Sequence, residues 1–270
     1  MSKVSLVVSD VDGTLVTNDK VLTAPSRAAV ARLGAAGIGF SIVSSRPPFG
    51  LRMLVEPLAL RLPMGAYNGG TLVNPDESVI EQRLLPHATA QMALAVFRAC
   101  GVHVWLFAGA RWMTDATDGP YIGKEVQAIR TEPTPVTRLE DHLDGVAKMV
   151  GVSDDFARLT ACEPLAREAL AGSATVARSQ AYYLDVTPAG TDKGVAVEAI
   201  ARRLGIVPAE IVTIGDMEND VAMFRRSGFS IAMGNADAAV RRAADAATLT
   251  NEENGFAAAV ERMILPRARS

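Results

Sequence analysis

Apolar and polar positions alternate in blocks at both ends of the chain. VSLVV (residues 4–8) is an apolar run of strand length, as expected of a strand covered on both faces. TAPSRAAVARLGAAG (23–37) reads as a helix, with Thr23 as N-cap, Pro25 in the first turn and Gly37 as the stop. IGFSIVS (38–44) predicts a second strand, and strand, helix, strand at this spacing is a parallel crossover unit. The last third repeats the alternation. TDKGVAVEAIARRLG, ending at Gly205, is a predicted helix, EIVTIG a strand, MENDVAMFRRSG a helix, FSIAMG a strand and ADAAVRRAADA a helix. ATLT and NEENGFAAAVERMI supply a last strand and helix. Both ends therefore belong to one α/β layer.

The middle follows a different pattern. LPH (85–87) and TPAG (187–190) read as linkers around a separate unit that mixes alternating segments (HVWLF, VAKMVGV, AYYLDV) with two amphipathic helices (ATAQMALAVFRAC and DDFARLTACEPLAREALAG). The expected division is a core of 1–84 and 189–270, with 85–188 inserted into it. Both tryptophans, all the histidines and both cysteines fall in the insert. Chemistry in the flanking segments must then run on carboxylates, hydroxyls, amides, lysine and a metal, which excludes a cysteine nucleophile or a Ser–His–Asp triad there.

Charge and composition narrow the classes further. Of 270 residues, 49% are apolar, enough for a substantial core. Lys and Arg total 27 against 30 acidic residues, a net charge of −3 with no long basic run, so no nucleic acid or anionic membrane is implied as partner. No apolar run approaches the ~18 residues of a spanning helix, and the N-terminus makes a poor signal peptide. Cys100 and Cys162 make no framework, so the reading is of reduced thiols in a soluble cytoplasmic protein.

Four short segments carry the candidate chemistry. In VVSDVDGTLV, Asp10 and Asp12 lie two apart, so an extended backbone sends both carboxylates the same way. Like charges that close raise a pKa or recruit a cation, and hard oxygens suit Mg²⁺. An acidic turn capping a helix would use the same residues. Ser44 and Ser45 end the second strand, where a hydroxyl can donate to a phosphoryl oxygen or simply cap the next helix. Lys193 falls in the first turn of its helix, against the helix dipole, so a carboxylate cluster or a bound phosphate should compensate it unless it is exposed. In VTIGDMENDV, Asp216, Glu218, Asn219 and Asp220 crowd a helix start just after a strand. Acids are stabilised there by the dipole alone, yet the carboxyl edge of a parallel sheet is also where ligands bind.

Taken together, DVDGTL, SSR, DKG and GDMEND resemble the four-motif signature of the haloacid dehalogenase superfamily, and the long insert is similar to the Cof-type phosphatases. The resemblance covers essentially the whole chain. It departs at the second motif, where Ser44-Ser45-Arg46 replaces the usual Thr-Gly-Arg. It implies a Rossmann-like parallel-sheet core with helices on both faces and an inserted α+β cap that closes over the substrate and selects the leaving group. It also implies an Mg²⁺-dependent phosphomonoesterase acting on a small phosphorylated metabolite, such as a sugar phosphate, through an aspartyl-phosphate. Asp10 would be the nucleophile and Asp12 the acid and base. Ser44, Lys193 and Asn219 would hold phosphoryl oxygens, while Asp10, the Asp12 main-chain carbonyl and Asp216 would hold Mg²⁺. Asp220 would orient Lys193 or a metal-bound water, and Asn68, in YNGG, would have a placing role. In the cap, Arg111, Asp115, Asp118, Tyr121, Lys124 and Asp185 are contacts by residue type only.

Three rivals share some of these features. A phosphomutase would pass the phosphoryl group to a second hydroxyl, and a non-catalytic phosphosugar-binding protein would lack the nucleophile or the acid. A receiver domain combines similar groups but is about half this length and is not split by an insert.

Overall fold

The structure, a computed structural model, describes residues 3–269. The chain divides into two compact units, 1–80 with 192–270, and 81–191. These boundaries fall within a few residues of 84/85 and 188/189.

The first unit is built on a five-stranded sheet in the order Ala246–Ala247, Phe229–Ala232, Ile211–Gly215, Leu6–Ser9, Gly39–Ile42. Every pairing in it is parallel. Leu6, Val7 and Val8 are all fully buried, which explains why the run is apolar without alternation. The first helix spans Ala24–Ala35, and Thr23 accepts from the Ser26 N–H at 3.3 Å as its N-cap. The helix Lys193–Leu204 begins at Asp192, whose side chain accepts from Val195 N–H at 2.8 Å, and ends on Gly205 at φ 67°. A smaller antiparallel sheet begins with Met64–Ala66 and Thr71–Val73 and joins the main sheet through a bridge between Val43 and Gly65.

The helix expected over ADAAVRRAADA shortens to Ala238–Ala243, and two other expected elements shrink further. MENDVAMFRRSG forms a 3-10 turn, Glu218–Asp220, and a single helical turn, Val221–Phe224. ATLT contributes only Ala247 to the short edge strand Ala246–Ala247. Both lie where acidic and small residues compete for backbone hydrogen bonds or bury little apolar surface.

The second unit is a six-stranded sheet in the order Ala174–Gln180, Tyr183–Pro188, Val146–Val152, His103–Ala108, Arg111–Thr114, Thr134–Pro135. Helices His87–Ala99 and Phe156–Ala169 cover one face, and Ala93, Phe97, Val104, Leu106, Met149 and Leu184 are among the residues of its core. On alternate positions Trp105, Phe107, Lys148, Tyr183 and Asp185 take the other face, as a two-residue period requires. Tyr183 donates its hydroxyl to Glu125 at 3.1 Å, fixing the short helix Ile122–Ile129 against that face. The sequence reading missed Arg111–Thr114, Ala174–Gln180 and Ile122–Ile129. Ala174–Gln180 is a partly exposed edge strand with little apolar alternation, and the other two are short.

Cys100 and Cys162, expected as free thiols, are joined as a disulfide. They are 62 residues apart, but Cys100 ends the helix His87–Ala99 and Cys162 lies within Phe156–Ala169, so the packing of the two helices brings their Cα atoms to 5.7 Å. No helix among the described residues is long and apolar enough to cross a membrane.

Candidate active site

Strand register assembles the site. Ser9 lies opposite Ile42 on one side and Ile214 on the other, so the residues just beyond the three strands emerge at one carboxyl edge. The Asp10 N–H continues the ladder, donating to the Ile214 carbonyl at 2.9 Å. Asp10 therefore leaves its strand level with Gly215, one residue before Asp216. Gly13, at φ 85°, turns the chain so tightly that a Cβ there would overlap the Asp216 carboxylate.

Lys193 holds the centre of this arrangement. It is 2% exposed, and its Nζ donates to Asp10 Oδ1 at 2.6 Å and to Asp220 Oδ1 at 2.5 Å. The compensation that a first-turn lysine requires is thus a pair of carboxylates. Asp220 is committed at its other oxygen as well, since Oδ2 accepts the N–H groups of Asp216 (2.8 Å) and Met217 (2.9 Å). Asp216 is held by the Thr14 hydroxyl at 2.8 Å and more loosely by Asn235 Nδ2 at 3.3 Å. Asn235 also donates to the Gly13 carbonyl at 2.9 Å, tying the turn to the acid.

Carboxylate oxygens of Asp10, Asp216 and Asp220 all lie within 4.8 Å of one another in this buried pocket. Three acids against one lysine leave an excess of negative charge away from water. Burial, which outweighs the opposing pull of Lys193, pushes the Asp10 carboxyl up to about 7. Burial and the neighbouring Asp10 and Asp220 push Asp216 well up too. Lys193 is desolvated, which would lower it, yet Asp10 and Asp220 hold it above its ordinary range. A cluster with this surplus and only hard oxygen donors fits a small divalent cation.

Asp12 has different surroundings. Arg46 grips its carboxylate in a fork, Nε to Oδ2 at 2.7 Å and Nη2 to Oδ1 at 2.8 Å, and Lys20 Nζ adds a bond to Oδ1 at 2.7 Å. Burial would raise Asp12, but the two cations prevail and hold it below the usual carboxylate range.

Asn219 Nδ2 donates to Asn68 Oδ1 at 3.0 Å, and Asn219 Oδ1 is buried with no hydrogen-bond partner among the described residues. Asn68 is held at φ 54° in the turn after Met64–Ala66. Ser44 is fully buried and its hydroxyl accepts from the Arg46 N–H at 3.2 Å. Ser45 keeps a φ outside the left-handed region, so this backbone tolerates a side chain where the related motif has glycine. In the inserted unit, Asp185 is buried beside Lys148 at 3.5 Å, Asp115 pairs with Arg98, and Tyr121 stacks on Tyr182, whose ring also lies under Lys124. Arg111 and Asp118 are exposed.

Sequence reasoning gave no role to Thr14, Lys20, Arg46 or Asn235. Thr14 and Arg46 lay inside quoted motifs. Lys20 and Asn235 lie outside them and become neighbours only through folding.

The haloacid dehalogenase-like hydrolase family matches residues 7–260. The chain belongs to this family. Its relatives include a 5-amino-6-(5-phospho-D-ribitylamino)uracil phosphatase of Bacillus subtilis, 25% identical over 96% of this chain and 97% of the relative. Another is an HMP-PP phosphatase of Cronobacter sakazakii, 27% identical over 84% of this chain and 83% of the relative. A haloacid dehalogenase-like hydrolase from Bacteroides thetaiotaomicron has the same fold, with a TM-score of 0.84 at 30% identity, covering 97% of this chain and all of the neighbour. A HAD subclass IIB sugar phosphatase superposes equally well, also at a TM-score of 0.84, over 97% and 99% of the two chains at 22% identity. The protein is accordingly an enzyme, a phosphatase of the haloacid dehalogenase superfamily.

Proposed function

We propose that the protein hydrolyses the phosphomonoester of a small polar metabolite, a sugar phosphate or a phosphorylated sugar-like moiety, by way of an aspartyl-phosphate on Asp10. The observation that carries this reading is the buried contact of Asp10 with Lys193, set beside Asp216 at the carboxyl edge of the sheet. A carboxylate there can act as nucleophile, and the lysine beside it can balance charge on a phosphoryl group.

In the first half-reaction an Asp10 oxygen attacks phosphorus. The bond from phosphorus to the ester oxygen breaks, and Asp12 gives that oxygen its proton. That step needs the charge of the bound phosphoryl group to offset Arg46 and Lys20, whose bonds keep the carboxylate ionised in the free protein. In the second, a water loses a proton to the Asp12 carboxylate and attacks the same phosphorus. The bond to Asp10 breaks, releasing phosphate and restoring both acids. Ser44, Lys193 and Asn219 are assigned to the phosphoryl oxygens, and Asn219 would serve through its Nδ2, the amide's donor, which Asn68 Oδ1 holds at 3.0 Å.

Asp10 and Asp216, with the Asp12 main-chain carbonyl, would hold Mg²⁺. Asp220 supports them, because both its oxygens are engaged by Lys193 and by backbone N–H groups. A bound Mg²⁺ supplies positive charge against the phosphoryl oxygens and relieves the repulsion among the acids. The relatives that act on phosphorylated metabolites support the substrate class.

The test is release of p-nitrophenol from p-nitrophenyl phosphate in Mg²⁺ and in EDTA, alongside Asp10→Asn. The expected result is Mg²⁺-dependent turnover that the variant lacks. Turnover persisting in both EDTA and Asp10→Asn would overturn the mechanism.

A further inference from the structure

Lys20 belongs to none of the four motifs, yet its ammonium reaches Asp12 at 2.7 Å, and its side chain is only 8% exposed. Its backbone is held at φ 62°, a conformation that glycine or asparagine adopts more readily than lysine. The turn that carries it is fixed at several points. Thr17 N–H donates to the Val21 carbonyl at 3.0 Å and Lys20 N–H to the Thr17 carbonyl at 2.9 Å, while Val21 N–H donates to the Thr17 hydroxyl at 3.1 Å. The far end of the chain braces it as well. Asn251 Nδ2 donates to the Val16 carbonyl at 3.1 Å, and Asn18 N–H donates to Glu252 at 2.7 Å. A lysine serving only solubility would extend into water. Here a strained and anchored turn withdraws a long cationic side chain from solvent and delivers it to one oxygen of one acid.

We propose that Lys20 is a positioning residue that fixes where the Asp12 carboxylate points during proton transfer to the leaving group. The inference rests on the reading of Asp12 as acid and base. Oδ1 accepts both Lys20 and Arg46, so it is saturated, whereas among the described residues Oδ2 accepts only Arg46 Nε and keeps a position through which a proton can pass. Arg46 alone would hold the plane of the carboxylate. Lys20 adds a second direction of restraint, opposing rotation of Asp12 toward the charged centre at Asp10 and Asp216.

The experiment compares kcat/KM for p-nitrophenyl phosphate, whose leaving group needs no proton, with that for phenyl phosphate, whose leaving group does. It is run on the full chain in Mg²⁺, with Asp12→Asn as the reference. Lys20→Gln is expected to lose at least about tenfold more on phenyl phosphate than on p-nitrophenyl phosphate, a modest part of what general acid catalysis supplies. Lys20→Arg should restore most of the difference. Lys20→Gly removes the amine while suiting the positive φ, so the same selective loss there excludes misfolding as its cause. Equal losses on both esters, or none, while Asp12→Asn remains selective, would overturn the role of Lys20. A non-selective Asp12→Asn would instead overturn the reading of Asp12 on which this role depends.

Discussion

At the scale of single residues, the proposed chemistry and the stability of the fold both turn on the charge balance of the buried cluster. Lys193 meets two acids at 2.6 and 2.5 Å, and removing one partner of such a buried group leaves the others uncompensated. Lys193→Met is therefore expected to lower turnover of p-nitrophenyl phosphate by roughly a hundredfold or more, the scale of one lost electrostatic donor. A residual rate within a few fold of wild type would sink the assignment. Asp10 gives a pH prediction. In the metal-free protein its carboxyl is raised from 3.8 to about 7, so between about pH 4 and about pH 7 the folded chain holds a proton that the unfolded chain has released. That contribution is present at the acid end and is lost as pH rises through about 7. Asp12 has the opposite sign, since its depressed pKa stabilises the fold above the ordinary carboxylate range and loses that effect only in strong acid. Urea midpoints in EDTA should accordingly fall for wild type relative to Asp10→Asn as pH rises across the Asp10 window. Parallel curves would contradict the raised carboxyl.

At the scale of elements, Lys193 owes its position to how closely the helix Lys193–Leu204 approaches the turn Val221–Phe224. Gly194 is the contact that permits this, because a Cβ there would run into the Ala222 carbonyl, which is backbone and cannot swing aside. Gly194→Ala should improve helix propensity in isolation. In the protein it is expected to cost about 1–3 kcal/mol, the usual penalty of overpacking. It should also lower kcat, because the first turn bearing Lys193 must shift. Chemical denaturation and steady-state kinetics on the same preparation check both halves, and a stabilised, fully active variant would refute the argument. The sequence identified this helix and its stop at Gly205, a local signal, but did not single out Asp192 as its N-cap. It could not identify Gly194 as a packing residue, because Ala222 lies in a different element.

For the whole molecule, the division into two units can be followed spectroscopically. Trp105 and Trp112, the protein's two tryptophans, both lie within 81–191, as does the disulfide between Cys100 and Cys162. Tryptophan fluorescence therefore reports that unit. Breaking a crosslink between residues 62 apart is expected to destabilise it by about 2–4 kcal/mol. Ellman's reagent should find no free thiol before reduction, and dithiothreitol should lower the fluorescence-detected urea midpoint. Two reactive thiols in the untreated, unfolded protein would show that the crosslink is absent. What the sequence alone determined was whatever local chemistry dictates. Apolar runs of strand length, helix caps and the order in which strands and helices alternate all made the α/β core legible. Asp10, Asp12, Lys193 and Asp216 stood out because each sits immediately beside such a signal. What only the tertiary structure decided was which side chains meet. Parallel register puts Asp10 level with Gly215, packing of two helices joins two cysteines expected to be free, and a braced turn carries Lys20 back to Asp12. Those contacts depend on positions far apart in the chain, and their energies come from burial and charge pairing that no local window contains.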